Sequence, residues 1–374
     1  MNNEHLSILQ MCYDSNELIN IMQKLNHDSI LSVFLVPYYS LFCIEALNTL
    51  KNYDINITSD YNCPYNQKII RAKLKCFEEK YNKSINVVRN CDFIQDYIFS
   101  SKLKCNLQKK LNMYYNIGIF VYDNKIIGNS QYIYYIFQDS KALKKANLSL
   151  SNLQFELIPS ELKEYGSYCS NIISKVTIIT NEVFKIKPTF DINSLKPEIF
   201  YKDLNTNKLF KKELKLENLY LLHILSNINY VYYVLKQYER NNGWWIKLYY
   251  ITYYYSLRRI LNLTDYLKKN NIERNKIDIL ENLYSSTNKY INSNFRNCVM
   301  HYDFSTNINE EYFDINKPLF GLIESSFNNI NYYTFKNEIL TFIKEISDIL
   351  EKYLDIDISN CELIIKGDEN INER

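Results

Sequence analysis

The stretch Phe295-Arg296-Asn297-Cys298-Val299-Met300-His301-Tyr302-Asp303-Phe304 decides how this chain is organised. Side chains four residues apart share a face of a helix, so Asn297 and His301 are predicted to stack on one side of a turn. Arg296 is displaced around the helix, but its long side chain can swing the guanidinium group back over that side. The apolar residues 298–300 would pack behind them. The spacing predicts a cation, an amide and an imidazole that converge on one small surface.

The same stretch resembles the Arg-Asn-x-x-x-His motif of the HEPN superfamily, including the His-Tyr-Asp that continues it. The resemblance covers about residues 214–356 and does not extend to the first half of the chain. Members of this superfamily are small helical bundles. Many are metal-independent RNases of toxin, abortive-infection and CRISPR-linked systems, and others have no catalytic activity. The alternative interpretation is that Arg296 and His301 only cap and satisfy a helix end, including within a HEPN fold that lacks catalysis.

The composition indicates a soluble globular protein without a strong electrostatic signature. The chain has 374 residues, 47% of them hydrophobic, and a formal net charge of +2. A chain of this length can bury a large core and is predicted to form two domains. So small a net charge does not identify a nucleic-acid-binding protein. The 35 tyrosines suit a bundle core with a wet edge, so they are not counted as stacking platforms for RNA.

Cysteine usage and the apolar runs predict a cytoplasmic protein with no metal, no cofactor and no membrane segment. The nine cysteines are irregularly spaced and form no Cys-x-x-Cys, which favours reduced thiols over disulfides or a zinc site. The N-terminus lacks a basic region followed by an apolar core, so no signal peptide is predicted. The most apolar run, Ile30 to Ile44, contains Pro37, is closed by Glu45 and is too short for a membrane span.

Prolines and changes of periodicity divide the chain into four regions. They are an α-rich N-terminal domain over 1–186, a linker over 187–213, a helical bundle over 214–358 and a tail over 359–374. Aromatic and β-branched runs around turn residues predict a short hairpin within 116–137. The linker is predicted because Pro188 and Pro197 favour extended backbone before them and no helical period is sustained. The polar tail is expected to fray.

The region 214–358 is predicted to be an antiparallel helical bundle, because it contains four apolar stripes at helical spacing with mostly short links. The first stripe runs from Leu216 to Leu235, and His223 beside it is predicted to be a satisfied structural histidine. The predicted fold class is therefore mainly α. It combines a C-terminal, HEPN-like antiparallel bundle with an α-rich N-terminal part that contains a small β element.

The motif carries groups that RNA cleavage without a metal needs. Neutral His301 could take the proton from a 2′-OH, because imidazoles titrate near neutral pH. Arg296 could grip phosphate oxygens through its planar fork, and Asn297 could orient the phosphate or the imidazole. Tyr302 is predicted to pack beside the motif and is a candidate substrate contact. No metal-ligand spacing surrounds His301, so no metal site is predicted.

One chain supplies one imidazole in this motif, so a histidine base and a histidine acid require two copies. HEPN RNases share their active site across a dimer, and the resemblance therefore implies a homodimer through the motif helix, with RNA as the partner. The implied function is a metal-independent endoribonuclease that leaves a 2′,3′-cyclic phosphate and a 5′-OH, in a defence or toxin-type effector. The alternative is a non-catalytic HEPN-like module for dimerisation or nucleic-acid binding.

Overall fold

A computed structural model describes residues 4–25, 29–77, 80–101, 114–137, 157–187, 197–304, 307–358 and 362–364. Within these ranges the protein is mainly helical and contains one small antiparallel sheet, as the sequence predicts. Predictions made for Pro188, for the rest of 188–196 and for most of the tail lie outside the described residues.

The first half of the chain supplies helices around one hairpin. In chain order its elements are α1 (Glu4–Leu25), α2 (Ser29–Lys51), α3 (Gln67–Ala72), α4 (Tyr81–Ser101), β1 (Ile117–Tyr122), β2 (Lys125–Asn129), α5 (Ser130–Phe137) and α6 (Leu157–Phe184). The predicted hairpin is β1 and β2, which pair antiparallel. Its turn residues Asp123 and Asn124 have φ of 47° and 56°, the left-handed conformation that a tight two-residue hairpin turn requires.

The second half contains the helices of the predicted bundle region. Its elements are β3 (Phe200–Leu204), α7 (Thr206–Leu209), α8 (Lys215–Asn229), α9 (Gly243–Lys269), α10 (Arg274–Thr287), α11 (Ser293–His301), α12 (Leu322–Ser326), α13 (Tyr332–Leu354) and β4 (Glu362–Ile364). A π-helical turn, Tyr230–Val234, and a 3-10 turn, Leu235–Tyr238, follow α8. Helices α9 and α13 pack against each other and each packs on α8 and α10, and the motif helix α11 packs on α9 and α2.

The segment predicted to be a linker contains part of the sheet. Strand β3 lies within 187–213 and pairs antiparallel with both β1 and β4, in the strand order β2-β1-β3-β4. The described part of the predicted tail is β4. The burial of β3 does not alternate, since residues 202–204 are all buried, and its five residues are too few to stand out as a period beside two prolines. The prediction of a loop-rich linker is therefore wrong for residues 200–204, which form a strand of the sheet.

The two predicted parts share one core. Buried apolar residues from Leu6 to Leu354 belong to a single hydrophobic cluster, and α1 packs on α9 while β2 and α4 pack on α8. The approach of β2 to α2 is close, because a Cβ at Gly128 would lie 2.1 Å from the ring of Phe34. The predicted separation into domains 1–186 and 214–358 does not match this packing. Apolar stripes show that a helix buries a face, but not which helix covers it.

Helix α2 passes through the middle of this arrangement. From Ile30 to Lys51 it is long and apolar enough to cross a membrane by length and composition alone, yet most of it is buried inside the protein. It packs on α1, α3, α6 and α11. Near its C-terminal end it carries Glu45, whose carboxylate is buried beside the motif helix.

His223 in α8 is buried among aromatic rings. Within the described part of the chain it lacks the hydrogen-bond partner that the sequence-based prediction of a satisfied structural histidine requires. Its ring lies 5.4 Å from that of Phe77 and 5.9 Å from that of Tyr132. Among the described residues, neither of its nitrogens has a hydrogen-bond partner. Burial without a partner disfavours the charged imidazolium and lowers the pKa of His223 to about 3.

This burial predicts a loss of stability in mild acid. The unfolded chain protonates His223 near its ordinary pKa of 6.5, whereas the folded protein keeps it neutral until about pH 3. Its contribution to stability is therefore complete above pH 6.5 and is lost as the pH falls from 6.5 toward 3. In urea unfolding between pH 6.5 and 4.5, we expect His223→Leu to weaken the pH dependence of the free energy of unfolding by up to about 1.4 kcal/mol per pH unit relative to wild type. His5→Gln, at an exposed position, is the control, and equal slopes for all three proteins would contradict the prediction.

Candidate functional site

The motif stretch folds as the nine-residue helix α11 because both of its ends are capped. The side chain of Asn292 accepts hydrogen bonds from the backbone N–H groups of Asn294 and Phe295. The hydroxyl of Tyr250 in α9 bonds the backbone N–H and carbonyl of Asn292, which fixes where the helix begins. At the other end Tyr302 adopts the left-handed conformation, φ 55° and ψ 32°, and stops the helix directly after His301.

One face of α11 is buried and the other is open. Phe295, Cys298, Val299 and Met300 are buried, and the ring of Phe295 packs edge-on against that of Tyr250 at 4.6 Å between centroids. Asn297 and His301, four residues apart, lie on the exposed side. The predicted placement of these two side chains, with apolar residues behind them, agrees with the structure.

Tyr302 anchors the end of α11 inside the protein. Its hydroxyl donates to Oδ2 of Asp14 in α1 at 2.7 Å, and Nζ of Lys247 in α9 lies 2.5 Å from the same oxygen. That ammonium group also stands 3.7 Å from the centre of the Tyr302 ring, and Ser7 donates to the Tyr302 carbonyl. Burial, followed by the nearby Asp14 carboxylate, raises the pKa of Tyr302 well above its ordinary value. Tyr302 is thus a buried structural residue, and the predicted substrate contact is corrected.

The imidazole of His301 lies beside a carboxylate from the other half of the chain. Nδ1 of His301 lies 3.1 Å from Oε2 of Glu45, while Nη1 of Arg71 in α3 donates to the other oxygen, Oε1, at 2.6 Å. The Glu45 side chain is 8% exposed, whereas His301 and Arg71 are 41% and 30% exposed. A neutral imidazole that donates from Nδ1 presents Nε2 as an acceptor. Nε2 is the nitrogen that can receive a proton from a substrate.

Arg296 is directed toward α9. The carbon at the centre of its guanidinium group lies 5.3 Å from the ring centre of Tyr254 and 5.7 Å from that of Tyr255. Its Nε is buried and has no hydrogen-bond acceptor among the described residues. The sequence predicts that the guanidinium swings back over Asn297 and His301. The two tyrosine rings instead hold it by cation–π contact, at the border between α11 and α9.

The sequence predicts the exposed pair Asn297 and His301 but not the residues that support them. Glu45 and Arg71 come from α2 and α3, more than 200 residues earlier in the chain. One signal was present, since Glu45 interrupts a helix that is apolar nearly all round, and a buried carboxylate requires a partner. Its partners could not be named, because pairing across such a separation depends on tertiary packing.

The arrangement can carry proton transfer and anion binding. It combines an accessible imidazole, a buried carboxylate beside it, an exposed amide and the guanidinium group of Arg71, while the guanidinium group of Arg296 lies against Tyr254 and Tyr255. Across the described ranges, no three His, Cys, Asp or Glu side chains are grouped as metal ligands. Comparisons with protein-family models, with curated proteins and with solved structures found no match. The site is therefore interpreted from its own geometry.

The anchoring role of Tyr302 predicts a cost for removing its hydroxyl. Tyr302→Phe leaves one oxygen of Asp14 without this donor in a buried position, so we expect the free energy of unfolding to fall by about 1–3 kcal/mol. Urea unfolding measures the change. Tyr61→Phe, at an exposed position, should alter stability by less than about 0.5 kcal/mol. Equal stability of Tyr302→Phe and wild type would show that the hydrogen bond to Asp14 does not hold the end of α11.

Proposed function

We propose that this protein is a metal-independent endoribonuclease whose active site is built on α11. The observation that carries the proposal is the contact between Nδ1 of the exposed His301 and the buried Glu45 carboxylate. A carboxylate that holds one imidazole nitrogen orients the ring and stabilises its protonated form, which is how acid–base histidines are supported. The resemblance of the motif, within about residues 214–356, to that of the HEPN superfamily supports the same reaction class.

The proposed reaction is transesterification within the RNA chain. Nε2 of His301 takes the proton from a 2′-OH, and the resulting oxygen attacks the adjacent phosphorus atom. The bond from phosphorus to the 5′-oxygen then breaks, which leaves a 2′,3′-cyclic phosphate and a 5′-OH. Glu45 stabilises the imidazolium as it forms, and Arg296, on leaving the rings of Tyr254 and Tyr255, binds the charge that develops on the phosphorane oxygens. Asn297 orients the phosphate from the same exposed face.

The leaving 5′-oxygen needs a proton, and the second imidazole comes from a second copy of the chain. The exposed side of α11 presents Asn297 and His301, together with Ser293 and Asn294 one turn earlier. A two-fold contact through this polar face brings two copies of the motif together, with base and acid from different chains. The protein is accordingly a homodimer that acts on RNA in the cytoplasm, and its defence or toxin-type role follows from the family resemblance.

A second candidate function is a non-catalytic HEPN-like module that dimerises or binds nucleic acid. The observation in its favour is that Glu45, Arg71 and His301 also form a compact ion-pair cluster that joins α2, α3 and α11. With His301 protonated, such a cluster would serve to hold the helices together. The two functions differ in one measurable property, which is whether His301 is needed for RNA cleavage or for stability.

Cleavage of total RNA in the presence of EDTA tests the proposal. We expect wild type to cut, and His301→Ala to lose about 10²- to 10⁴-fold in rate, because the general base is removed. Glu45→Gln should show a smaller loss, since it keeps the shape but removes the charge. Mass spectrometry of the products should find cyclic phosphate ends. His5→Ala is the matched control, with an exposed histidine in α1. Activity that survives in His301→Ala would exclude the proposed mechanism, and a folded wild type that does not cut would leave the binding module.

The shared site predicts that one defective chain impairs its partner. Wild-type protein mixed with an excess of Arg296→Ala/His301→Ala should lose activity per wild-type chain, because each heterodimer lacks one imidazole and one guanidinium group. Subunit exchange is verified with differently tagged chains and light scattering. If activity per wild-type chain stays constant although heterodimers have formed, each chain cuts alone and the shared-site mechanism is wrong.

A further inference from the structure

We infer that Arg71 binds an RNA phosphate adjacent to the one that is cleaved, so that the site takes an oligoribonucleotide carrying at least two phosphates. This inference rests on the proposed ribonuclease function and extends it to the substrate. The observation behind it is that Arg71 and His301 occupy the two oxygens of a single carboxylate, that of Glu45.

Arg71 and His301 contact different oxygens of Glu45. Glu45 faces Nδ1 of His301, whereas the proposed base is Nε2, on the far side of the ring. Arg71 contacts the other oxygen of that carboxylate, Oε1, and Nε2 of His301 is not part of this contact. We therefore assign the scissile phosphate to Arg296 and Asn297, and the next phosphate along the strand to Arg71.

Arg71 retains the capacity to bind an anion. A guanidinium group has five N–H donors, and the contact with Glu45 uses Nη1. The Arg71 side chain is 30% exposed while its carboxylate partner is 8% exposed, so the cation lies at the surface and the anion beneath it. The bond to Glu45 holds the planar fork in place before a ligand arrives, which reduces the entropy that binding must overcome.

The charge balance during the reaction also favours a phosphate beside Arg71. Before proton transfer, Arg71 and Glu45 neutralise each other. When His301 becomes protonated, one carboxylate faces two cations, and the group of three carries one net positive charge. A phosphodiester carries one negative charge, so a phosphate beside Arg71 would stabilise the charged form of the site at the moment when the base holds the proton.

The test compares charged and neutral linkages in otherwise identical substrates. Each is a DNA oligonucleotide with a single ribonucleotide, so that only the phosphate on the 3′ side of that ribonucleotide can be cut. The scissile phosphate is unchanged in every substrate. The linkage that precedes it or the linkage that follows it is either a phosphate or an uncharged methylphosphonate. On the all-phosphate substrate, Arg71→Gln should raise KM about tenfold. On one of the two neutral substrates, wild type should show the same increase, and Arg71→Gln should add nothing to it. Arg71→Lys keeps the charge but not the planar fork, so its KM on the all-phosphate substrate should lie between those of wild type and Arg71→Gln.

The control is Arg89→Gln in α4, because Arg89 is exposed and its guanidinium donates to Oδ1 of Asn86, three residues earlier, at 2.6 Å. It should match wild type on every substrate. Thermal unfolding verifies that the variants are folded. If Arg71→Gln loses the same factor on the charged and both neutral substrates, Arg71 acts by positioning Glu45, and the inference is overturned.

A binding measurement separates failure of this inference from failure of the ribonuclease proposal. The probe is a 2′-O-methyl oligonucleotide, which cannot be cut, with and without the methylphosphonate. If wild type cleaves no RNA but Arg71→Gln weakens binding only of the charged probe, the phosphate site stands and the catalytic proposal falls. If wild type cleaves RNA and Arg71→Gln binds both probes as tightly as wild type does, the phosphate site is rejected and the catalytic proposal stands.

Discussion

The structure around the motif depends on two carboxylates that are buried and therefore must be paired. Asp14 from α1 holds the hydroxyl of Tyr302 and the ammonium group of Lys247, and Glu45 from α2 holds His301 and Arg71. An unpaired carboxylate in these positions would be strongly destabilising. The two pairings bring the first two helices of the chain onto the end of a helix more than 250 residues later. They fix where α11 ends and which way its histidine faces.

The two histidines of the second half show how environment decides chemistry. His223 and His301 lie on helices of the same region, but His223 is enclosed by aromatic rings without a hydrogen-bond partner, and its pKa is lowered to about 3. It is buried and stays neutral at any physiological pH. His301 has one nitrogen on a carboxylate and a ring that is partly open to water. Of the two, only His301 has the surroundings that a proton-transfer group needs.

The shared core changes how the first half of the chain is understood. Residues 1–186 have no motif of their own, and the sequence offers no role for them. In the structure they supply Asp14, Glu45 and Arg71, and they pack on the helices that carry the motif. The candidate site is thus built by both halves. A substitution in α2 or α3 is expected to change its chemistry as directly as one in α11.

The sequence by itself determined the local features: a mainly helical chain, the hairpin at Asp123 and Asn124, and a short helix that exposes Asn297 and His301. These follow from periodicity and turn chemistry, which act over a few residues. Tertiary structure decided the rest. It placed β3 in a segment marked by prolines, turned Arg296 onto Tyr254 and Tyr255, buried Tyr302 on Asp14 and brought Glu45 to His301. Each of these is a pairing between distant residues, and its partner is selected by which faces the fold brings together, information that no local pattern contains.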